Sequence, residues 1–328
     1  MIFIGKCPYR ISLLGGGSDL DWFVAENGYG NSIGFSLAEY SYTVINKKDL
    51  ISKYGLLNYS SRETYTSLDN IAHSLIRESL KYFNITEFIE MSSYGFSSGG
   101  GGLGGSSSFC MSFLSSINLC FNLKLSTKEI ANICSEIEIN ILGKPIGRQD
   151  QYLSSLGGIN ALAYHPQGKV KIESLSNNQM QAIKKVSEEL LLIPSLRTRS
   201  ADKVLSKFKD SITCKNSLIE IREICKAFLS SRELSVGDIY KLLNQSIKDS
   251  WEIKRRMSNV MDSQLDEQYS SISEIPHNWI RLIGAGSGGY FLLSTKLKIK
   301  ETINLLSLKN INAKRVYVDN IGLHSASI

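Results

Sequence analysis

Short runs of β-branched and aromatic residues alternate along the chain with segments whose apolar positions recur at helical spacing. Strands are predicted over 2–5, 10–14, 36–46 and 87–92. A helix follows from Phe109 to Phe121, because its apolar side chains return at the spacing of one buried face. The first part of the chain therefore combines extended segments with at least one long amphipathic helix.

The remaining pattern predicts more helices and a strand-rich tail. Helices are predicted over 68–82, from Ser126 to about 142, over 216–229 and 236–258, and near 296–308. Ser126 and Glu129 have the spacing of a capping box at the start of the second of these helices. The tail predicts strands at 280–284, 290–294 and 315–320. The mixture is α+β rather than a regular βαβ succession, and a soft domain boundary falls between 167 and 194.

Composition narrows the class of protein. The 328 residues are 42% hydrophobic, which is enough for one large or two ordinary cores. The net charge of +6 is spread without a block of like charges, so neither nucleic acid nor a membrane surface is an expected partner, and a mild positive field suits anionic small molecules. No stretch of eighteen apolar residues or signal peptide is recognisable, and we expect a cytoplasmic protein. The six cysteines form no CxxC pair and are expected to be buried free thiols.

The segment SSGGGGLGGSSSF, from Ser97 to Phe109, raises the main chemical question. Glycine loses more conformational entropy on folding than any other residue, so this density needs a compensating use of bare backbone. A flexible linker would not run directly into an amphipathic helix. A loop between a strand and a helix can instead place successive amides and the positive helix end around an anion, which predicts a phosphate site.

Known phosphate motifs match this segment poorly. A P-loop needs a lysine after its last glycine, where this chain has serines. The GxGxxG pattern is met by Gly99, Gly101 and Gly104 only because the run is so rich in glycine, and Lys124 stands where a ribose-binding acid is expected. A second glycine loop, 284–289, is followed by a strand instead of a helix. Both loops are therefore expected to serve one site by close backbone approach, in a way unlike a Rossmann fold.

Four segments together resemble one family. They are PYRISLLGGGSD (8–19), GGGLGGSSSF (100–109), IGRQDQYLSSLGGIN (146–160) and LIGAGSGGYFLL (282–293). In order and approximate spacing they resemble the GHMP kinases, the superfamily of galactokinase, homoserine kinase, mevalonate kinase and phosphomevalonate kinase. Within it, the chain is most similar to the D-glycero-D-manno-heptose 7-phosphate kinases of bacterial surface-polysaccharide biosynthesis.

The resemblance implies a fold and an activity. The fold would be the two-domain α+β GHMP kinase fold, with a ribosomal protein S5 domain 2-like ATP-binding domain over 1–188, a ferredoxin-like α/β domain over 189–328, and ATP in the cleft between them. The activity would be phosphorylation of the anomeric hydroxyl of a heptose 7-phosphate, with ATP and magnesium, for lipopolysaccharide or capsule precursors. Two alternatives remain open, a kinase for galactose, fucose or mevalonate, and a catalytically silent binding protein. A homodimer is also left open.

The resemblance also implies which residues hold the nucleotide and metal. The ATP phosphates would lie on the backbone of Gly100, Gly101, Gly102, Leu103, Gly104, Gly105, Ser106 and Ser107. Magnesium would be held by Ser106 and Glu138; Glu136 is two residues away and faces another side of the helix. The family usually has serine where this chain has Gly105, which leaves open the identity of the metal-binding hydroxyl and the level of turnover.

The remaining implied roles belong to the acceptor. Asp150 would be the base or orienting carboxylate for the sugar hydroxyl, and Arg10 would offset the developing charge. Ser18 and Asp19 would bind substrate hydroxyls, and Arg199 would receive the distal phosphate. Gly286, in the second glycine loop, is also expected to contact the substrate.

Overall fold

The fold is that of a computed structural model, which describes residues 1–48, 51–96, 101–195, 205–206, 208–257 and 260–328. Two residues with an expected role, Gly100 and Arg199, lie outside the described residues. Among the described helices, none combines the length and the apolar composition needed to cross a membrane.

A large, mainly antiparallel sheet forms the first structural layer. Its strands are β1 (Ile2–Leu14), β2 (Gly30–Lys47), β3 (Gly55–Asn58), β4 (Arg62–Tyr65), β5 (Ile89–Gly95), β6 (Ile159–His165), β7 (Lys169–Glu173) and β12 (His324–Ser327). The order is β12-β1-β2-β5-β3-β4, with β6 paired to both β2 and β7. Only the pairing of β3 with β5 is parallel among the described strands.

The second sheet is smaller and comes from the later part of the chain. Its strands are β8 (Leu190–Pro194), β9 (His277–Leu282), β10 (Tyr290–Thr295) and β11 (Lys314–Arg315), in the order β11-β8-β10-β9. The strand predicted over 315–320 is wrong in extent, because only its first residue is extended in this sheet and Val318 makes a single bridge to β2. The chain then returns to the first sheet, where β12 pairs with β1.

Ten described α-helices cover these sheets. They are α1 (Asp21–Asn27), α2 (Ser74–Tyr82), α3 (Gly105–Cys120), α4 (Thr127–Ser135), α5 (Gln149–Leu156), α6 (Asn177–Glu188), α7 (Ile212–Ser230), α8 (Val236–Arg255), α9 (Ser263–Ser273) and α10 (Ile299–Leu308). One apolar cluster includes Ile11 of β1, Leu192 of β8 and Leu243 of α8, so the packed interior is continuous from one sheet to the other. This continuity fixes the position of the second sheet against the first.

Several local predictions need correction. The strands predicted over 2–5 and 10–14 are one strand, because Lys6 to Tyr9 continue the pairing with β2. The helix predicted over 68–82 is a short 3₁₀ turn, Leu68–Asn70, followed by α2. The helix predicted from Ser126 to about 142 changes to a π-helical turn at Glu136–Ile141. The capping box is confirmed, since the Ser126 side chain accepts a hydrogen bond from the Glu129 amide.

Gly5 provides a test of how closely α3 packs on β1. A Cβ at Gly5 would lie 1.9 Å from the Ser112 carbonyl oxygen and 2.9 Å from the Ser116 amide. We expect Gly5→Ala to lower the free energy of unfolding by about 1–3 kcal/mol, because backbone must move to admit the methyl group. Urea denaturation measures the change.

The matched control is Gly237→Ala in α8, where only the Ser235 hydroxyl, at 3.9 Å, approaches the added methyl group. It should be neutral or slightly stabilising, because alanine is the better helix former. Equal stability of the two variants would contradict the close contact of strand and helix.

Candidate active site

A cavity of about 260 Å³ is lined by residues from both halves of the chain. The first half of the chain lines it with the end of β1, the glycine loop before α3 and the start of α5. The later half contributes apolar side chains of α7, polar groups of α8 and β9, and the second glycine loop. The cavity is therefore built by segments that are far apart in sequence.

The two glycine loops touch each other through bare main chain. A Cβ at Gly102 would lie 2.4 Å from the Ile283 carbonyl oxygen, and one at Gly284 would lie 2.3 Å from the Gly102 Cα. A Cβ at Gly289 would lie 2.5 Å from the Gly101 carbonyl oxygen. Side chains would separate the loops, so the glycine clusters are explained by a close approach of backbone to backbone at the cavity wall.

The N-terminus of α3 opens into this cavity. The helix begins after Gly104, which has a left-handed backbone (φ 74°) and supplies no side-chain cap. The first amides of a helix have no partner within the helix and lie at the positive end of its dipole. The cavity is lined here by Gly101, Gly102, Gly104, Gly105, Ser106 and Ser107, while Leu103 is buried behind them and accepts a hydrogen bond from the Arg10 amide. This arrangement suits phosphate oxygens.

Arg10 and Asp150 form an ion pair beside the same helix end. Both Nε and a terminal nitrogen of Arg10 lie 2.7 Å from Asp150 Oδ1, and the guanidinium also donates to the Gly102 carbonyl. Asp150 Oδ2 would be 3.4 Å from a Cβ at Gly104. The structure therefore brings together the predicted base, the predicted cation and the predicted phosphate loop.

Asp19 lines the same cavity and is held by hydrogen bonds from backbone and side chain. Its carboxylate accepts from the amides of Gly17 and Gln149, each at 3.0 Å, and from Gln149 Nε2 at 3.1 Å. Burial raises the pKa of Asp19 to about 6; the Gln149 amide opposes this rise, and the charge of Asp150 adds to it. A buried carboxylate that lines the cavity is suited to bind hydroxyl groups.

Glu138 lies in the π-helical turn, fully buried beneath the serines of α3. It accepts hydrogen bonds from Ser106 Oγ at 2.8 Å, Ser107 Oγ at 2.6 Å and Gln151 Nε2 at 2.7 Å. Lys144 Nζ lies 2.9 Å from the carboxylate and 2.7 Å from Ser106 Oγ. Burial alone would raise the pKa of Glu138, but the Lys144 charge and these hydrogen bonds outweigh it and hold the pKa below its ordinary value.

The oxygen atoms of Glu138, Ser106 and Ser107 are suitable ligands for a magnesium ion that also binds phosphate. Magnesium in phosphoryl-transfer sites is bound by one or two carboxylates together with substrate phosphates, and here one carboxylate and two hydroxyls lie beside the open end of α3. Within the described ranges, no three His, Cys, Asp or Glu side chains are grouped so that they could hold a metal by themselves. Lys144 contacts the same Ser106 and Glu138 oxygens, so these oxygens already bind a positively charged group.

The absence of a serine at position 105 leaves this network intact. Gly105 lines the cavity as the first residue of α3, and a Cβ there would have ordinary contact with Tyr9 at 3.7 Å. Both hydroxyls that contact Glu138 come from the next two residues. Glu136, by contrast, pairs with Asn140 and does not reach the site.

Two further cations line the cavity and were not predicted from the sequence. Lys254 of α8 donates to the Gly284 carbonyl, and Arg281 of β9 donates to the Leu13 carbonyl at 2.5 Å. The segment DSWEIKRRMS (249–258) contains Lys254 but has no spacing of its own that indicates a site. Lys144 was not predicted either, because it lies in none of the motifs recognised in the sequence.

Two predicted substrate residues do not line the cavity. Ser18 is fully buried, and its hydroxyl donates to the carbonyls of Gly15 and Asn31, each at 2.8 Å, and so supports the loop after β1. Gly286 packs against Val260, while its neighbours Gly284 and Ala285 line the cavity. Roles for these two residues in substrate binding stay predictions.

Comparison with known proteins agrees with this geometry. Residues 70–158 match the family model described as "GHMP kinases N terminal domain". A D-glycero-alpha-D-manno-heptose 7-phosphate kinase from Campylobacter jejuni is 25% identical over 296 residues, which cover 87% of each chain.

Two solved structures share the fold over nearly the full chain. A D-glycero-D-manno-heptose 1-phosphate kinase from Bacteriodes thetaiotaomicron has a TM-score of 0.78 at 18% identity and covers 99% of each chain. A putative sugar kinase from Campylobacter jejuni has a TM-score of 0.75 at 21% identity, covering 100% of this chain and 98% of that one. The resemblance to the GHMP kinases, the α+β fold class and the assignment to the phosphotransferases are confirmed.

Lys144→Met tests the charge balance at Glu138. Without the ammonium, burial dominates and the pKa of Glu138 should rise above its ordinary value. A raised pKa means that the folded state binds more protons than the unfolded state, so stability falls as pH rises from about 4.5 through the new pKa. We expect a loss of about 1–3 kcal/mol at pH 7 and a smaller loss at pH 5, measured by urea unfolding.

Lys128→Met is the matched control, because Lys128 is exposed on α4 and forms no ion pair with a described residue. Its stability should follow that of the parent at both pH values. A loss in Lys144→Met that is equal at pH 5 and pH 7 would show that the lysine does not set the ionisation of Glu138.

Proposed function

We propose that this chain is an ATP-dependent sugar-phosphate kinase that transfers a phosphoryl group to the anomeric hydroxyl of a heptose 7-phosphate. The observation that carries the proposal is the Arg10–Asp150 pair, which lies directly beside the open N-terminus of α3. A carboxylate, a cation and a row of backbone amides are the groups that phosphoryl transfer to an alcohol requires. The heptose kinase names of the similar proteins support the choice of acceptor.

The nucleotide phosphates would bind on the amides from Gly101 to Ser107. Preorganised backbone dipoles stabilise charge that spreads over the phosphoryl oxygens, and they need no reorganisation during the reaction. Contact between Gly102 and Gly284 keeps side chains away from this surface. The backbone cradle therefore serves both to bind the nucleotide and to stabilise the transferring group.

Asp150 would accept the proton of the acceptor hydroxyl as its oxygen attacks the γ-phosphorus. The bond from that phosphorus to the β,γ-bridging oxygen breaks, and the nucleoside diphosphate leaves with its pair of electrons. Arg10 holds Asp150 in place through Oδ1 and supplies positive charge to the same region. Its guanidinium also binds the Gly102 carbonyl, so the base and the phosphate loop keep a fixed separation.

Ser106 and Glu138 would hold magnesium, with Ser107 supporting the same carboxylate. When bound, the ion neutralises charge on the phosphate oxygens and orients them. Lys144 contacts the same two oxygens of Ser106 and Glu138, so its positive charge would also lie beside the phosphates.

Asp19 and Gln149 would select the acceptor by hydrogen bonds to its hydroxyl groups. An acceptor that lacks a matching hydroxyl leaves a buried carboxylate without a partner, which penalises binding.

We also propose the division into an ATP-binding domain, 1–188, and a second domain, 189–328, although β12 lies in the first sheet. The expected product is a heptose 1,7-bisphosphate for nucleotide-sugar and surface-polysaccharide synthesis, made in the cytoplasm where ATP is supplied.

A panel of acceptors tests the proposal. The chain is incubated with ATP, magnesium and one of D-glycero-D-manno-heptose 7-phosphate, galactose, fucose or mevalonate, and ADP release is measured. We expect the heptose 7-phosphate to have the highest kcat/KM. A preference for a neutral sugar or mevalonate would instead favour another small alcohol. Nucleotide binding without ADP release on any acceptor would favour a silent binding protein.

Asp150→Asn tests the role of the carboxylate. The amide oxygen can still accept from Arg10, so the site should keep its geometry while losing the group that takes the proton. We expect kcat to fall at least about a hundredfold, the size of a general-base contribution, with ATP affinity nearly unchanged. Steady-state kinetics and equilibrium nucleotide binding measure the two quantities.

Asp238→Asn is the control, since this aspartate lies exposed at the start of α8. Its kcat should equal that of the parent chain. Full turnover in Asp150→Asn would remove Asp150 from the mechanism.

A further inference from the structure

We infer that Lys254 and Arg281 form a subsite for a phosphate group in the cavity, beside the second glycine loop. The inference rests on the proposed function, because it names how the same cavity receives a second tetrahedral dianion. The two residues come from α8 and β9 and belong to the later half of the chain. No role in the expected mechanism uses either of them.

Lys254 has little in the protein to compensate its charge. Lys254 is half-buried, and its ammonium donates to the Gly284 carbonyl, a neutral acceptor. The charged groups that act on it are Arg281 and Arg10, which repel it, and Asp19, whose attraction is the smallest of the three. Burial lowers the pKa of Lys254 to about 7, and the two arginines add to this effect.

Arg281 is short of acceptors as well as of negative charge. It is 6% exposed, and its Nε is buried without a hydrogen-bond partner. Burial lowers the pKa of Arg281 to about 10, and Arg10 adds to the effect, with no acid in the described chain opposing it. An unpaired buried donor lowers stability. A ligand that accepts a hydrogen bond from Arg281 Nε would supply the missing partner.

The charges that line the cavity show the same imbalance. The described lining residues include four cations but only two carboxylates, Asp19 and Asp150. Arg10 is paired with Asp150, and Lys144 is paired with Glu138 behind the lining. The remaining pair of cations, Lys254 and Arg281, therefore faces the cavity without an equal negative charge.

A phosphate group matches these two side chains in charge and shape. Arginine presents a planar fork of donors to a phosphate, and lysine adds a compact charge. The dianion has two sources in this reaction, the phosphate of the acceptor or the transferred phosphoryl group of the nucleotide. The same side chains would recognise the phosphate in both cases. Arg199, which the sequence analysis expects to bind the acceptor phosphate, lies outside the described residues.

Sulfate is a suitable probe, because it is a tetrahedral dianion whose charge does not change near neutral pH. The full chain is titrated with sulfate by isothermal calorimetry at pH 8, in two buffers that differ in ionisation enthalpy. Binding should be accompanied by uptake of up to about one proton, since the bound charge raises the pKa of Lys254. In Lys254→Met the proton uptake should disappear.

Affinity gives the second readout. We expect Lys254→Met and Arg281→Met each to weaken sulfate by about tenfold or more, the scale expected when a buried charge partner is removed. The controls are Lys248→Met on α8 and Arg315→Met on β11, both exposed, which should bind as the parent does. Wild-type sulfate affinity in both active-site variants, or sulfate binding without proton uptake in the parent, overturns the inference.

Stability without ligand distinguishes a ligand subsite from a structural role. If Lys254 supported the fold, Lys254→Met would lower the melting temperature. We expect the melting temperature to stay equal or rise, because methionine has a similar shape and removes a half-buried charge that two arginines repel. A lower melting temperature together with unchanged sulfate affinity would assign Lys254 to the fold instead.

A non-hydrolysable ATP analogue identifies the natural occupant. Exclusion of sulfate by the bound analogue assigns the subsite to the transferred phosphoryl group. Continued sulfate binding, with competition from heptose 7-phosphate, assigns it to the acceptor. These measurements need no turnover, so a chain that binds sulfate as described but phosphorylates no sugar would disprove the proposed function and leave the subsite standing.

Discussion

The arrangement of the cavity depends on the contacts that Arg10 makes from β1. Its backbone amide donates to Leu103, and its guanidinium joins Asp150 of α5 to the Gly102 carbonyl. One residue thus connects β1, the glycine loop and the helix that carries the predicted base. Because Arg10 is almost completely buried, these bonds have little competition from water.

The sequence indicates the parts of the site that depend on local chemistry. The glycine run before α3 could be named from its own pattern, whereas Glu138 and Asp150 were named from the resemblance to the GHMP kinases. Lys254 and Arg281 could not, since their meaning comes from α8 and β9 packing beside β1, which no local spacing encodes. The course of the chain after Val318 was missed for a similar reason: its final pairing is with a strand some three hundred residues earlier.

The site also concentrates groups that are unfavourable for folding. The pKa of Asp19 lies above its ordinary range and that of Lys254 below, which means that each resists its charged form in the empty cavity. Glu138 differs, because hydroxyls and Lys144 compensate its burial. Shifted pKa values of this kind are typical of functional sites, where the empty site lowers the stability of the fold and a bound ligand raises it again.

The pairing of β12 with β1 has a consequence for how the protein is made. Phe3 lies opposite Ser327 and Lys6 opposite His324, so the edge of the first sheet beside β1 stays open until residues 324–327 have been synthesised. Until then a nascent chain carries an uncovered strand edge, which favours association with other chains. Closing this edge is then a slow step that the topology itself imposes, since contacts so distant along the chain are costly to form early in folding.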